Sequence, residues 1–228
     1  MTTFVYWFAT YFTWYVLLPL YTRIKIVGAE NVPRSGPLII ASNHLNDADP
    51  GVICRGIPRR VVYMAKVELF KVPLLAQFLR AFGAFPVRRG EADLAALRRA
   101  SETLKAGLAL CMFPEGTRAG KAELLREAWP GAGLLALRND APILPIAITG
   151  SGELSLPKMF LRPHKRYHVT LTIGEPFRLD VPKRINGEAA QTGARQIMER
   201  IAALLPPDHR GFYADAPQPQ GNHLESRP

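Results

Sequence analysis

The sequence predicts an α/β fold in which a mixed, largely parallel central sheet is flanked by helices, with a further helix at the N-terminus. Three observations lead to this fold class. Short, apolar, β-branched runs alternate with segments of helical periodicity, as in strand–helix–strand units. Polar residues directly follow several of the apolar runs, as they do at the carboxyl ends of strands in open α/β sheets. The first 22 residues differ, since they are uncharged from Phe4 to Thr22 and rich in aromatic residues.

The composition indicates one globular domain. The chain has 228 residues and is 48% hydrophobic, which is enough for a sizeable core and excludes a disordered protein. We expect the α/β domain to cover residues 23–205. A Pro-, Gly- and Gln-rich tail over 206–228 is predicted to be disordered.

The charge favours an anionic partner. The net charge is +10, from 29 basic and 19 acidic residues that are spread along the chain. This pattern fits anionic membranes or phosphorylated substrates. Since no zinc-finger, RNP or helix-turn-helix signature is present, nucleic acid is not expected. Cys54 and Cys111 lie in apolar surroundings and predict buried free thiols, without the His or Cys spacing of a metal site.

The N-terminal segment over 1–22 predicts a membrane-associated helix. Trp and Tyr favour the headgroup level of a bilayer, and Arg23 and Lys25 follow the segment directly. A helix embedded in one leaflet would place this basic flank on the cytoplasmic face of the cell membrane, making the protein peripheral or monotopic. The alternative is a buried core helix.

The predicted elements follow the hydrophobic pattern in chain order. Strands are predicted at 24–28, 37–42, 61–65, 83–90, 108–113, 143–148 and 169–173. Helices are predicted at 50–57, in two pieces within 66–82 broken at Pro73, from about 91, at 131–138 and at 190–205. Apolar residues nearly encircle the 66–82 segment, which predicts burial in the core or, alternatively, the wall of an apolar channel. In the helix from 91, the inner stripe is predicted to be Leu94, Leu97, Ser101, Leu104 and Leu108.

A polar run at 43–50 follows the strand at 37–42. Asp49-Pro50 is typical of a helix start, with the Asp as the cap, so His44 is expected in a strand-to-helix loop. Across such a turn the imidazole and the Asp49 carboxylate can meet. Asp49 would then fix the tautomer, and the other ring nitrogen could take a proton from a hydroxyl. Alternatively, His44 is an ordinary polar loop residue and Asp49 is only a helix cap.

Four blocks, in order, resemble the motifs of the glycerolipid acyltransferases, the 1-acylglycerol-3-phosphate acyltransferase family. Asn43-His44 with Asp49 resembles the first motif. The second is Gly-Ala-Phe-Pro-Val-Arg-Arg at 83–89, the third Phe-Pro-Glu-Gly-Thr-Arg at 113–118, and the fourth Pro-Ile-Leu-Pro-Ile at 142–146. The resemblance covers about residues 24–176, and the third block is its most specific part.

The resemblance implies an enzyme that moves an acyl group from coenzyme A or acyl carrier protein to the sn-2 hydroxyl of lysophosphatidic acid, a membrane lipid. The product would be phosphatidic acid, in phospholipid biosynthesis, with no cofactor and no metal. His44 would be the general base and Asp49 its partner. The resemblance assigns substrate binding to Arg89, Glu115, Gly116, Thr117 and Arg118, with the two arginines on the acceptor phosphate. Glu115 would contact the glycerol backbone or position an arginine.

Two departures from the family's motifs leave alternatives open. Asn46 replaces a common Ser, and Asp47 adds a second carboxylate near His44. The acceptor could therefore be another lysolipid, such as a lyso-ornithine lipid, or a glycolipid. A non-catalytic peripheral protein that binds anionic lipid is a further alternative. The basic run at 156–166, which includes Met159 and Phe160, predicts a second membrane contact or a solvated loop.

Overall fold

The computed structural model describes residues 21–88, 93–119, 123–154 and 166–215. Its strands are β1 (Thr22–Val27), β2 (Leu38–Ser42), β3 (Val61–Lys66), β4 (Phe85–Val87), β5 (Ala109–Met112), β6 (Ile143–Thr149) and β7 (Tyr167–Ile173). Its α-helices are α1 (Asp49–Gly56), α2 (Pro73–Ala81), α3 (Leu94–Lys105), α4 (Gly131–Asn139) and α5 (Gly187–Leu204). Short 3-10 helices cover Ala29–Asn31, Val67–Lys71, Pro207–His209 and Gly211–Tyr213.

Within the described residues the strands form one sheet in the order β1-β7-β6-β2-β5-β3-β4. The neighbours pair in parallel except β6 and β7, which are antiparallel. The predicted α/β class with a mixed, largely parallel sheet is therefore confirmed. The carboxyl ends of β2, β5 and β6 lie side by side in the middle of the sheet.

The central strands are buried on both faces. Successive residues of β2 alternate between two apolar clusters: Ile39 and Ala41 lie in one, and Leu38 and Ile40 in the other, all fully buried. Helices α3, α4 and α5 cover the first face, and α1 covers the second. Because both faces are covered, β2 is a continuous apolar run rather than an alternating one.

The predicted inner stripe of the helix at 94–105 is confirmed except at Leu94: Leu104 is buried, and Leu97 and Leu108 pack partly buried against the core. Ala96, Ala100 and Leu104 form its buried side, whereas Leu94 is 71% exposed. The small side chains of Ala96 and Ala100 belong to the buried core and let the helix approach the sheet closely. The helix also begins later than expected, at Leu94, where the Asp93 side chain caps the amide of Ala96.

The segment between β3 and β4 breaks at Pro73 as predicted, but its predicted burial in the core is wrong. Ala76 is the buried residue of α2, whereas Leu74 is 80% and Val72 52% exposed. The reason is its position at the β4 edge of the sheet, where only one side of the segment meets the core. Phe70 and Leu79 make that contact.

The ordered domain extends past residue 205, so the predicted disorder of the tail is wrong for its first part. Two 3-10 helices follow α5, and Tyr213 is buried with its hydroxyl oxygen accepting the Ala128 amide at 3.1 Å. Three predicted segments lie largely or wholly outside the described residues: the N-terminal helix over 1–22 except its last two residues, most of the basic run at 156–166, and residues 216–228 of the tail. Among the described residues, no helix combines the length and the apolar character needed to cross a bilayer.

Candidate active site

Three loops meet at the carboxyl edge of the sheet. They follow β2, β5 and β6, which are neighbours in the order β6-β2-β5 and run parallel. This is the edge at which open α/β sheets place their sites. The loop after β2 carries His44, the loop after β5 carries the third motif, and the loop after β6 carries Ser151.

The structure brings His44 and Asp49 together, as their spacing predicts. The Nδ1 atom of His44 lies 2.9 Å from Oδ2 of Asp49, and the Asp49 side chain is fully buried. The expected cap geometry is corrected, since Asp49 is the first residue of α1 and the preceding Ala48 is the cap. The carboxylate is turned back into the loop instead.

Four donors surround the Asp49 carboxylate. Besides His44, the amides of Leu45 and Asn46 each donate to Oδ2 at 2.7 Å. The hydroxyl of Ser151 donates to Oδ1 at 2.6 Å. A buried carboxylate without such partners would be costly. This network therefore fixes both the position and the orientation of the group that faces His44.

The imidazole of His44 is held on its face as well as at its edge. It stacks on the Phe113 ring, with centroids 3.9 Å apart and planes inclined by 16°. The side chain is only 7% exposed. Since Nδ1 is engaged by Asp49, Nε2 is the nitrogen that can exchange a proton with a substrate.

The loop after β5 is hydrogen-bonded to the backbone of the His44 loop. The His44 amide donates to Oε1 of Glu115 at 3.1 Å, and the Ala119 amide donates to the carbonyl of His44 at 2.7 Å. On the other side, Asn43 pairs with both backbone groups of Ile148 on β6, each at 2.8 Å. Two neighbouring strands thus hold the loop from opposite sides.

Glu115 is buried beneath the site rather than open to solvent. Its Oε2 accepts the Arg126 amide at 3.0 Å, so both oxygens face backbone amides. Burial raises the pKa of Glu115 to about 7, while the amide bonds from Arg126 and His44 act in the opposite direction. This environment favours organisation of the loop over direct contact with a substrate.

Gly116 and Arg118 occupy the outer part of the same loop. Gly116 has φ of +66°, and a Cβ there would lie 2.9 Å from the Trp129 ring, so the position favours glycine. Thr117 and Arg118 are exposed. Arg118 forms an ion pair with Asp47, both side chains being more than half exposed. Asp47 therefore pairs with Arg118, and Asp49 is the carboxylate that contacts His44.

Arg89, the other predicted phosphate ligand, lies outside the described residues. The described part of the second motif ends at Arg88, whose amide donates to Asp93 at 2.9 Å. That part follows β4 at the same carboxyl edge of the sheet.

Sequence reasoning missed Ser151. It lies 102 residues after Asp49, and its surroundings, a Ser-Gly pair after an apolar strand, are the only local signal. The two thiols lie elsewhere and are buried. Burial raises the pKa of Cys54 to about 12 and that of Cys111 well above its usual value, so neither is poised as a nucleophile.

Comparisons with known proteins show which proteins this chain is similar to. The acyltransferase family model matches residues 23–149. A 1-acyl-sn-glycerol-3-phosphate acyltransferase of Bacillus subtilis is 32% identical over 162 residues, which cover 71% of this chain and 77% of that protein. A chloroplastic enzyme of the same name from Arabidopsis thaliana, LPAT1, is 29% identical over 60% of this chain and 39% of its own.

The fold also has a solved counterpart. The crystal structure of the 1-acyl-sn-glycerophosphate acyltransferase PlsC from Thermotoga maritima superposes with a TM-score of 0.62 at 27% identity, covering 85% of this chain and 74% of that one. The family match spans β1 to β6 and so includes the His44–Asp49 pair and the third motif. This chain belongs to the acyltransferase family.

Proposed function

We propose that this chain transfers a fatty acyl group from a thioester to the sn-2 hydroxyl of 1-acylglycerol-3-phosphate, giving phosphatidic acid. The observation that carries the proposal is the buried His44–Asp49 pair at the carboxyl edge of the sheet. The names of the relatives support this acceptor. Mere lipid binding would not need an imidazole held on its ring face, at Nδ1 and along its backbone.

The pair acts as a general base. Asp49 holds the Nδ1 proton, and Nε2 of His44 takes the proton of the sn-2 hydroxyl as its oxygen attacks the thioester carbonyl. The tetrahedral intermediate collapses with loss of the thiolate, which receives the proton from the imidazolium. Ester and free thiol are the products. Because the thioester is already activated, we expect no acyl-enzyme, no cofactor and no metal.

The acceptor phosphate is proposed to lie near Arg118, with Arg89 as a second ligand. Arg118 is exposed next to the His44 loop and is paired with Asp47, another exposed side chain. A dianionic phosphate can displace that carboxylate because it carries two negative charges against one on Asp47, and because the Asp47–Arg118 ion pair is exposed and therefore weak. Asp47 would then keep Arg118 oriented while the site is empty.

We propose that the enzyme works at the cytoplasmic face of the membrane, where its acceptor resides. The aromatic N-terminal segment supports this through its composition. The structure adds the exposed apolar side chains between β3 and β4, namely Leu69, Val72, Leu74 and Phe78. They follow β3 at the same edge of the sheet as the His44 loop, with Lys66 and Lys71 beside them.

A thiol-release assay tests the proposal. The purified full-length chain is given palmitoyl-coenzyme A or palmitoyl-acyl carrier protein with lysophosphatidic acid, and free thiol and phosphatidic acid are both measured. We expect stoichiometric appearance of the two products with at least one donor. A parallel panel replaces the acceptor by lysophosphatidylcholine, a lyso-ornithine lipid and monoacylglycerol. Faster turnover of one of these would overturn lysophosphatidic acid as the proposed acceptor. No turnover with any acceptor would overturn the proposed acyltransferase activity.

A further inference from the structure

The loop after β6 contacts the His44–Asp49 pair at the Asp49 carboxylate oxygen that does not face His44. Ser151 is fully buried, and its hydroxyl donates to Oδ1 of Asp49 at 2.6 Å. The other oxygen of Asp49, Oδ2, receives the His44 ring and the two loop amides. The serine thus holds the one carboxylate oxygen that the His44 loop does not reach.

The backbone around Ser151 is tightly constrained. Gly150 has φ of +79°, and a Cβ at this position would lie 2.2 Å from the carbonyl oxygen of His168. The turn at the end of β6 therefore favours glycine on both conformational and steric grounds. This turn directs the next residue, Ser151, toward Asp49.

A second carboxylate, from Glu123, holds the residues on both sides of Ser151. Its Oε2 accepts the Gly150 amide at 3.1 Å, and its Oε1 accepts the Gly152 amide at 3.2 Å. Glu123 itself has φ of +51°, which non-glycine residues seldom adopt. Such a backbone conformation persists only where surrounding contacts over-determine it, and it is common near functional sites.

The C-terminal elements supply those contacts. Leu125, two residues after Glu123, donates its amide to His209 at 3.2 Å and accepts the Phe212 amide at 3.0 Å. His209 Nδ1 also lies 3.6 Å from Glu123 Oε2. The 3-10 helices after α5 therefore hold Glu123, which holds the turn that carries Ser151.

We propose that Ser151, supported by Glu123, is a positioning residue for the His44–Asp49 pair. The inference rests on the proposed role of His44 as the base. Without the hydroxyl, the Asp49 carboxylate can rotate about its side chain, and the imidazole hydrogen-bonded to it shifts with it. A displacement of about 1 Å can lower a rate by roughly a hundredfold, whereas substrate binding at the outer loop is not affected.

The test compares Ser151→Ala with Ser151→Cys, which retains a weaker donor of similar size, and with Glu123→Gln. Ser42→Ala is the matched control, because Ser42 is equally buried and its hydroxyl donates to the carbonyl of Asn43 rather than to Asp49. Each full-length variant is assayed for kcat, KM and thermal midpoint. The proton on His44 Nδ1 is followed by NMR as a signature that does not depend on activity.

We expect Ser151→Ala to lower kcat by roughly 10- to 100-fold with KM for the acceptor within about twofold. The cysteine variant and Glu123→Gln should fall between Ser151→Ala and wild type. The His44 Nδ1 proton signal should shift or broaden in Ser151→Ala and remain in Ser42→Ala. A wild-type kcat and an unchanged signal in folded Ser151→Ala would overturn the inference, as would an equal loss in Ser42→Ala. An active His44→Ala variant would instead overturn the proposed mechanism.

Discussion

At the scale of single residues, the site depends on one carboxylate that is buried and one that is exposed. Asp49 contacts His44 and is fully buried, whereas Asp47, two residues earlier, points outward to Arg118. In the sequence, spacing favours Asp49 as the partner of His44, but Asp47 is a second carboxylate close to it. Burial and hydrogen-bond partners distinguish them, and they predict different kinetic effects for the same substitution.

Replacing Asp49 by Asn should lower kcat by as much as about 10⁴-fold, since the neutral amide favours the wrong His44 tautomer. The control is Asp47→Asn, which removes a carboxylate from the same loop without touching His44. It should change KM for the phosphorylated acceptor, because Arg118 loses its partner, and leave kcat within a few-fold. Steady-state kinetics of both variants test this prediction. Similar kcat values for the two would argue against Asp49 as the partner of His44.

Arg118→Ala should raise KM for lysophosphatidic acid by roughly 10- to 100-fold, since a charge-assisted bond contributes about 1.5–3 kcal/mol. Arg118→Lys should recover little of the lost acceptor binding, because lysine cannot make a bidentate contact to the phosphate. Arg195→Ala is the control, because Arg195 is exposed, forms an ion pair with Glu199 and lies on α5. Competition by glycerol 3-phosphate gives a second readout. An equal change with acceptors that lack a phosphate would refute the phosphate contact.

Glu115 predicts a pH dependence of stability. Its pKa is raised from 4.5 to about 7 in the folded protein. Between these values the folded state binds more protons than the unfolded state, so stability falls as the pH rises from about 4.5 to 7 and is level above. The loss is on the order of 3 kcal/mol. Urea unfolding of wild type and Glu115→Gln at pH 5 and 8 measures it. If the difference in unfolding free energy between wild type and Glu115→Gln were the same at pH 5 and pH 8, the prediction would be contradicted.

At the scale of elements, α2 presents two apolar stripes. Leu79 packs on the core, and Leu75, four residues earlier, is half-buried. Leu74 and Phe78, also four residues apart, are 80% and 41% exposed. Lys71 and Arg80 flank this outer stripe. An apolar stripe between cations suits shallow insertion into an anionic membrane.

Replacing Leu74 and Phe78 together by Ser should weaken co-sedimentation with phosphatidylglycerol vesicles at least several-fold and spare activity on detergent-dispersed substrate. Added salt should weaken the remaining binding, because the cations are exposed. Leu94→Ser is the control, since Leu94 is 71% exposed on a different helix. Unchanged vesicle binding would refute the membrane contact. A loss of activity in detergent without a change in vesicle binding would place the stripe at the acyl chain instead.

The helices and strands also show which features could be predicted from the sequence. Apolar runs predicted the central strands because β2, β5 and β6 are buried on both faces. Five residues of spacing predicted the His44–Asp49 contact because both lie on one strand-to-helix turn. The exposure of α2 and the alanine face of α3 could not be predicted, since they depend on which element lies at the sheet edge. The roles of Ser151 and Glu123 depend on tertiary contacts, for which the Ser-Gly pair after β6 is only a weak local signal.

At the scale of the whole molecule, the parallel arrangement of β2, β5 and β6 creates the site. It aligns three carboxyl ends, and the His44 loop hydrogen-bonds to a residue 71 positions away in the loop after β5 and, through Asp49, to one 102 positions away in the loop after β6. The C-terminal 3-10 helices, predicted as disordered tail, pack against the 123–128 segment that touches two of these loops. Truncations that remove these helices are therefore expected to disturb the active-site loops as well as the surface of the domain.

The measurement that tests the central claim most directly is the thiol-release rate of His44→Ala with lysophosphatidic acid and the preferred acyl donor. His168→Ala is the matched control, because His168 is exposed on β7 and its side chain is not part of the described network. We predict a loss of about 10²- to 10⁴-fold for His44→Ala, the range that base catalysis contributes, with circular dichroism and vesicle binding unchanged. His168→Ala should stay within a few-fold of wild type. A near-normal rate for folded His44→Ala would contradict the account.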